Sequence, residues 1–324
     1  MMPNFYVIGA QKAGTTSLYH YLAQHPQVYM SPVKEPCFFN YEIDPAGRVV
    51  QSGFGNPGQK GCRFSDVSGY RELFRGANGA TVIGEASPPY IYVPGTAERI
   101  EKYAPGSKVV AILRNPADRA YSAYLHAVRI GKEPLGDFSR ALLEEEERVR
   151  SNWHYTYHYR SRGYYYDQLA RYFKVFGRDR VGVWLYEDLT SNPVGVAQDI
   201  FGFLNVDDAF APDTNSKHNP SGVPKGRIAR AAIRTMDNTA AAFLETFTSA
   251  SKIYPFLSRM RQRVQRQMVA KPPPLDPNLR VDLTRGYRED ILKLQELIGR
   301  DLSAWLVASG QDRIPELSKG ARSG

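Results

Sequence analysis

The fold is decided by the stretch Phe5-Tyr-Val-Ile-Gly-Ala-Gln-Lys-Ala-Gly-Thr-Thr-Ser-Leu18, where an apolar run leads directly into a glycine-containing turn. The run Phe5–Ala10 has the length and the branched or aromatic side chains of a buried strand. Residues 16–24 then carry apolar side chains at helical spacing and end close to a proline. We therefore predict a strand, a tight turn and a helix in immediate succession.

The turn has the chemistry of a phosphate-binding loop. A turn that opens a helix leaves backbone N–H groups unpaired, and these donors together with the helix dipole favour an anion. Gly9 and Gly14 permit backbone angles that a side chain would forbid, Lys12 adds a positive charge, and hydroxyl residues follow at positions 15–17. We predict that this loop holds a phosphate or a similar group, with Lys12 facing its charge.

The spacing of the loop departs from that of the nucleotide-binding P-loop, G-x-x-x-x-G-K-[ST]. Thr15 stands where that motif has its lysine, and Lys12 lies three residues after the first glycine. The departure disfavours chemistry on magnesium–ATP. A P-loop nucleotide or sugar kinase nevertheless remains an enzyme alternative.

The rest of the chain alternates strands with helices. Further strands are predicted at residues 81–84, 108–113 and 181–186, and helices at 97–103, 116–128, 164–176 and 193–204. This alternation predicts an α/β, P-loop-like three-layer fold, in which helices flank a central, mainly parallel sheet. We expect a single domain over residues 1–324, with an irregular insertion at about 42–79, a lid-like loop at about 207–226 and a C-terminal helix after a linker at 271–275.

Composition narrows the class of protein. The 324 residues carry a net charge of +9, which implies an anionic partner. A basic nucleic-acid-binding module is the non-enzyme alternative, but no zinc-finger spacing or RNA-recognition consensus is present, and we expect no nucleic acid partner. Two cysteines cannot build a disulfide framework, and no apolar run approaches the ~20 residues of a membrane span. The expectation is a cytoplasmic protein with no membrane span.

A metal site is not expected either. His154 and His158 stand four residues apart, but no third ligand accompanies them.

A second anion site is predicted after the strand at residues 108–113. Arg114 follows its carboxyl end, where open α/β sheets place their ligands. Pro116 suits the first turn of a helix, and Ser122 lies about two turns further on. A guanidinium and a hydroxyl in this arrangement would grip a second phosphate.

Together the two motifs resemble those of sulfotransferases that use 3′-phosphoadenosine 5′-phosphosulfate (PAPS). Gln11-Lys-Ala-Gly-Thr-Thr-Ser17 is similar to the 5′-phosphosulfate loop of that family, and Arg114-Asn-Pro-x-x-Arg-x-x-Ser122-x-Tyr is similar to its 3′-phosphate motif. Two later segments, Arg162-Gly-Tyr164 and Lys225-Gly-Arg227, also resemble the family. The resemblance implies PAPS as co-substrate, adenosine 3′,5′-bisphosphate (PAP) as product and no metal. The residues that it implies for nucleotide binding are Gln11, Lys12, Ala13, Gly14, Thr15, Thr16, Ser17, Arg114, Ser122, Tyr164, Lys225, Gly226 and Arg227.

Within the family the chain most resembles the heparan-sulfate type and its bacterial relatives. In Lys34-Glu-Pro-Cys-Phe-Phe39, Glu35 matches the carboxylate that serves those enzymes as catalytic base. In Gly84-Glu-Ala-Ser-Pro-Pro-Tyr90, the lysine of the glycan enzymes is replaced by Ala86, so a basic contact to an acidic sugar is missing. The resemblance implies in-line transfer of a sulfuryl group, with Lys12 and Glu35 as catalytic residues, while His126 and His20 are weaker candidates for the base. The implied acceptor is a hydroxyl, or else an amine, of a glycan, a lipid or a small metabolite.

Overall fold

The structure is a computed structural model that describes residues 1–50, 63–215, 223–224, 226 and 269–307. Its centre is a five-stranded parallel sheet with the strand order β2-β5-β1-β6-β7. The strands of this sheet are β1 (Phe5–Gly9), β2 (Val28–Met30), β5 (Val82–Ala86), β6 (Lys108–Leu113) and β7 (Val181–Leu185). Two short antiparallel pairs join β3 (Glu42–Ile43) to β4 (Val49–Val50) and β8 (Val223–Pro224) to β9 (Val269–Ala270).

Helices pack against the sheet and against one another. In chain order they are α1 (Thr15–Leu22), α2 (Val67–Arg71), α3 (Thr96–Tyr103), α4 (Pro116–Arg129), α5 (Phe138–Leu143), α6 (Glu145–Arg150), α7 (Tyr165–Phe176), α8 (Tyr186–Ser191), α9 (Pro193–Leu204) and α10 (Pro277–Ile298). The predicted α/β fold, a parallel sheet flanked by helices, is confirmed.

β1 lies in the middle of the sheet, and each of its residues is buried. Phe5 pairs with Gly84 of β5 on one side and with Lys108 of β6 on the other. Gly84 is required here because a Cβ at this position would lie 2.0 Å from a ring carbon of Phe5. Since β1 and β6 are neighbours and parallel, the loops that follow them emerge at the same edge of the sheet.

The region at about 42–79 is not wholly irregular in the part that the structure describes. Besides the β3–β4 pair it contains α2, which begins after Asp66. The Asp66 carboxylate accepts a hydrogen bond from the Gly69 backbone N–H at 2.8 Å and so caps this short helix. The linker at 271–275 is free of helix and strand, and α10 follows it.

Candidate functional site

The predicted phosphate loop lies between β1 and α1. Gly14 precedes the helix with a φ of 88°, and a Cβ there would lie 2.8 Å from Leu189 Cδ2. Both the backbone angle and the close approach require glycine. Because Gly14 has no side chain, no side-chain hydrogen bond caps the start of α1. The N-terminus of a helix favours an anion through its backbone N–H groups and its dipole. Thr15, Thr16 and Ser17 form that first turn.

The second motif meets this loop directly. Arg114 Nη1 donates a hydrogen bond to the Lys12 carbonyl at 3.2 Å, and its guanidinium lies 4.6 Å from the ring centre of Tyr186. The Tyr165 hydroxyl donates to the Arg114 carbonyl at 3.0 Å. Arg114 is therefore fixed beside the loop, as expected for two strands that end at one edge. Ser122 lies on α4 and is partly exposed.

Lys12 occupies a strongly positive environment. Burial, together with the charges of Arg129 and Arg114, lowers the pKa of the Lys12 amine to about 7, although the charge of Glu35 opposes the shift. Lys12 also has a φ of 73°, which belongs to the left-handed region. Cations crowded together in this way are what a polyanionic ligand stabilises.

Glu35 lies next to this cluster, on the loop after β2. Its side chain is 41% exposed, and its carboxylate receives a hydrogen bond from Lys34 Nζ at 2.5 Å. Partial loss of hydration would raise the pKa of Glu35, but the charges of Lys34, Arg162 and Lys12 outweigh it and hold this pKa below its usual value. Glu35 is thus ionised at neutral pH and able to accept a proton. The structure brings together the two residues that the sequence assigns to catalysis.

Arg162 was given no role from the sequence, yet it belongs to the site. Its Nη1 donates to Gln11 Oε1 at 2.5 Å, and its side chain is buried between the rings of Tyr92 and Tyr155 at 5.7 and 5.3 Å. Burial lowers the pKa of Arg162 to about 10, and the nearby charge of Arg119 contributes. Arg162 therefore fixes Gln11 and adds positive charge near Glu35. The sequence signal for it was the family-like segment Arg162-Gly-Tyr164, which did not by itself indicate a role for the arginine.

His126 faces the same cluster from α4. Arg129 Nη2 lies 3.0 Å from His126 Nδ1, and burial, followed by the charge of Lys12, keeps the pKa of His126 well below 6.5. The ring is therefore neutral at neutral pH, and Nδ1 is the nitrogen that accepts the hydrogen bond from Arg129.

Tyr164 and the segment 225–227 complete the residues predicted to bind the nucleotide. The Tyr164 ring packs against Tyr287, with ring centres 4.9 Å apart, on the side of α10. The backbone carbonyl of Tyr164 accepts a hydrogen bond from Gln168 Nε2 at 2.5 Å. Gly226 is exposed with a φ of 91°, and Lys225 and Arg227 lie outside the described residues.

The described ranges contain no group of three or more histidine, cysteine, aspartate or glutamate side chains arranged to hold a metal ion. Among the helices of those same ranges, none combines the length and the apolar character that crossing a membrane requires.

Comparisons with known proteins identify the family. The family model described as sulfotransferase domain matches residues 3–219. The structure is similar to that of a sulfotransferase from Alicyclobacillus acidocaldarius, with 34% identity, a TM-score of 0.69 and coverage of 94% of this chain and 99% of that one.

Curated relatives are larger proteins. The bifunctional heparan sulfate N-deacetylase/N-sulfotransferase 4 of Mus musculus is 26% identical over 94% of this chain and 31% of its own length. The membrane-associated sulfotransferase kil1 of Dictyostelium discoideum is 32% identical over 45% of this chain and 28% of its own length. The chain thus spans less than a third of these two relatives. From the matched family model, and from the bacterial structure that is similar over nearly its whole length, the chain belongs to the sulfotransferase family.

Proposed function

We propose that this enzyme transfers the sulfuryl group of PAPS to a hydroxyl of its acceptor. The observation that carries the proposal is the meeting of Lys12, Arg114 and Glu35 at one edge of the sheet. Arg114 contacts the loop that holds Lys12, and the charges of Lys12 and Glu35 act on each other. An anion-binding loop, a second cation beside it and an ionised carboxylate are the parts that sulfuryl transfer needs.

The proposed reaction proceeds in line. The acceptor oxygen attacks sulfur, the bond from sulfur to the bridging oxygen breaks, and PAP leaves with the electron pair of that bond. The hydroxyl proton passes to Glu35, whose lowered pKa keeps it ionised and ready to accept. Negative charge grows on the 5′-phosphate of PAP, where Lys12 and the N–H groups at the start of α1 stabilise it.

The two ends of the nucleotide are assigned to the two motifs. Residues 11–17 hold the 5′-phosphosulfate, and Arg114 with Ser122 holds the 3′-phosphate. Support comes from the guanidinium of Arg114, which has a carbonyl and an aromatic ring as its neighbours and no carboxylate among its described contacts. In this proposal Tyr164 lines the nucleotide site, and Lys225, Gly226 and Arg227 cover the 3′-phosphate.

The acceptor is proposed as a carbohydrate, a lipid or a small metabolite. The names of the relatives include heparan sulfate and carbohydrate sulfotransferases, which favours a carbohydrate. Ala86 does not supply the cation that an acidic sugar would contact, and this favours an acceptor of low charge.

Calorimetry tests the donor. PAP is expected to bind and magnesium–ATP is not, and the reverse result would favour a kinase. Radiolabelled PAPS is then incubated with desulfated heparin, a neutral glycolipid and a phenol to find the acceptor class.

Lys12→Ala is expected to lose at least ~100-fold in turnover, because a preorganised donor to the developing charge is removed. Glu35→Gln is expected to bind PAP normally and to lose ~10²–10⁴-fold in turnover; normal turnover would exclude Glu35 as the base.

A further inference from the structure

The loop that carries Glu35 is attached to the segment after β5 through alternate backbone N–H groups. One acceptor is a backbone carbonyl, and two are side-chain hydroxyls. The three bonds run from Glu35 N to Ala86 O at 3.0 Å, from Cys37 N to Ser87 Oγ at 3.0 Å and from Phe39 N to Tyr90 Oη at 3.2 Å.

Both hydroxyls in turn donate hydrogen bonds to one carboxylate, that of Glu85. Ser87 Oγ donates to Glu85 Oε2 at 2.7 Å, and Tyr90 Oη donates to Glu85 Oε1 at 2.6 Å. Tyr70 Oη is a third donor, to Oε1 at 2.9 Å, and lies outside both chains of hydrogen bonds. Glu85, Ser87 and Tyr90 are completely buried.

We propose that Glu85 is a positioning residue for the transfer reaction. It holds the loop that carries Glu35 through two hydrogen-bond relays, one through the Ser87 hydroxyl to Cys37 N–H and one through the Tyr90 hydroxyl to Phe39 N–H. The inference rests on the proposed function, since it concerns the placement of Glu35. Glu35 and Cys37 have φ angles of 58° and 53°, in a region that residues with a Cβ enter only at a cost. A loop in this conformation persists only where its surroundings hold it.

A carboxylate is the group that these relays need. When ionised it only accepts, so each hydroxyl must donate to it and keeps its lone pairs for a loop N–H. An amide in the same place offers one oxygen and one NH₂, and the NH₂ forces its hydroxyl neighbour to accept instead. Whichever way a glutamine turns, the bond to at least one relay hydroxyl is reversed, and the proton of that hydroxyl loses its acceptor.

An ionised Glu85 costs free energy because it is buried. A carboxyl with only a structural role would avoid this cost by staying protonated. Burial is the largest influence on the pKa of Glu85 and, with the charge of Glu35, raises it to about 7 against the opposing effect of the hydrogen bonds from Ser87, Tyr90 and Tyr70. A protonated carboxyl would add a donor where three hydroxyls already donate. The relays are therefore complete in the ionised state.

Three substitutions separate the relays from the general effect of losing a buried hydroxyl. Ser87→Ala cuts the relay to Cys37, and Tyr90→Phe cuts the relay to Phe39. Tyr70→Phe is the matched control, because it removes a donor from the same carboxylate and leaves both relays intact. Glu85→Gln is the fourth variant.

Two readouts are measured on each folded variant. The first is hydrogen–deuterium exchange in the peptide that spans residues 36–40. The second is the hydrolysis of radiolabelled PAPS, in which water replaces the unknown acceptor. Ser87→Ala, Tyr90→Phe and Glu85→Gln are expected to exchange at least ~10-fold faster and to lose ~10-fold or more in kcat, with KM for PAPS within about twofold. Tyr70→Phe is expected to stay within about twofold of wild type in both readouts.

The outcomes distinguish the two proposals. Equal exchange and equal kcat in Ser87→Ala, Tyr90→Phe and Tyr70→Phe would overturn the role of Glu85 and leave sulfuryl transfer untouched. If calorimetry detects no binding of PAP by the wild-type protein, the proposed function fails, while the exchange data still report on the relays.

Discussion

Binding of PAP should be accompanied by the uptake of a proton on Lys12. With its pKa lowered to about 7, Lys12 is only about one-tenth protonated at pH 8 in the free enzyme. A phosphate oxygen at about 3 Å from Nζ contributes ~5 kcal/mol at an effective dielectric constant near 20, which corresponds to ~4 pKa units. Bound Lys12 is then fully protonated, so ~0.9 proton is taken up at pH 8.

Isothermal calorimetry in two buffers measures this number. PAP is titrated at pH 8 in Tris and in HEPES, and the difference between the observed heats divided by the difference in buffer ionisation enthalpy gives the protons exchanged. At pH 8 the phosphates of PAP are already ionised, because their second pKa is ~6. His126 stays neutral in the free enzyme, since its pKa lies well below 6.5.

Lys12→Arg is the control. Its guanidinium keeps a charge at every accessible pH, so PAP still binds but the proton uptake at pH 8 falls to near zero. Two results would refute the reasoning. One is a wild-type uptake near zero at pH 8, and the other is an uptake of ~0.9 that persists in Lys12→Arg.

Three further substitutions test separate parts of the site. Gly14→Ala places a Cβ within 2.8 Å of Leu189 at a φ of 88°. We expect the unfolding free energy to fall by ~1–2 kcal/mol, measured by denaturant titration. PAP binding should be at least ~10-fold weaker by calorimetry. Ser122→Ala is expected to weaken PAP ~5–10-fold but to leave adenosine 5′-phosphate unaffected; equal losses for both ligands would place Ser122 away from the 3′-phosphate. Arg162→Met removes a charge that lowers the pKa of Glu35, so the acidic limb of the pH–turnover profile should move to higher pH, and an unmoved limb would contradict the coupling.

Long apolar runs and helix signals made most of the framework predictable. β1, β6 and α9 begin and end at or within one residue of the predicted limits, because strands buried on both faces are almost continuously apolar and Pro193 marks the start of its helix. β2 was missed because it is three residues long and depends on pairing with β5. Tyr186, which was assigned to the end of a strand, instead begins α8.

The site was predictable to the extent that its residues lie in short motifs. The phosphate loop and Arg114 each follow a strand, and strand order alone brings them together. Arg162 is separated from Gln11 by 151 positions, and no local pattern shows that their side chains meet. The relays to Glu85 were also missed, since a carboxylate within an apolar strand is explained only by the three hydroxyls that surround it.

Because β1 and β6 are neighbours, Arg114 has two opposing effects on the loop that carries Lys12. Its hydrogen bond to the Lys12 carbonyl steadies the phosphate loop, where Lys12 has a left-handed backbone. Its charge lowers the pKa of Lys12 and so makes the empty site less favourable. A ligand with phosphate near both side chains removes this repulsion, whereas a ligand with a single phosphate relieves only part of it. On the proposed function, this arrangement would therefore favour a nucleotide with two separate phosphates, because the second phosphate would stabilise Arg114 while the first restores the charge of Lys12.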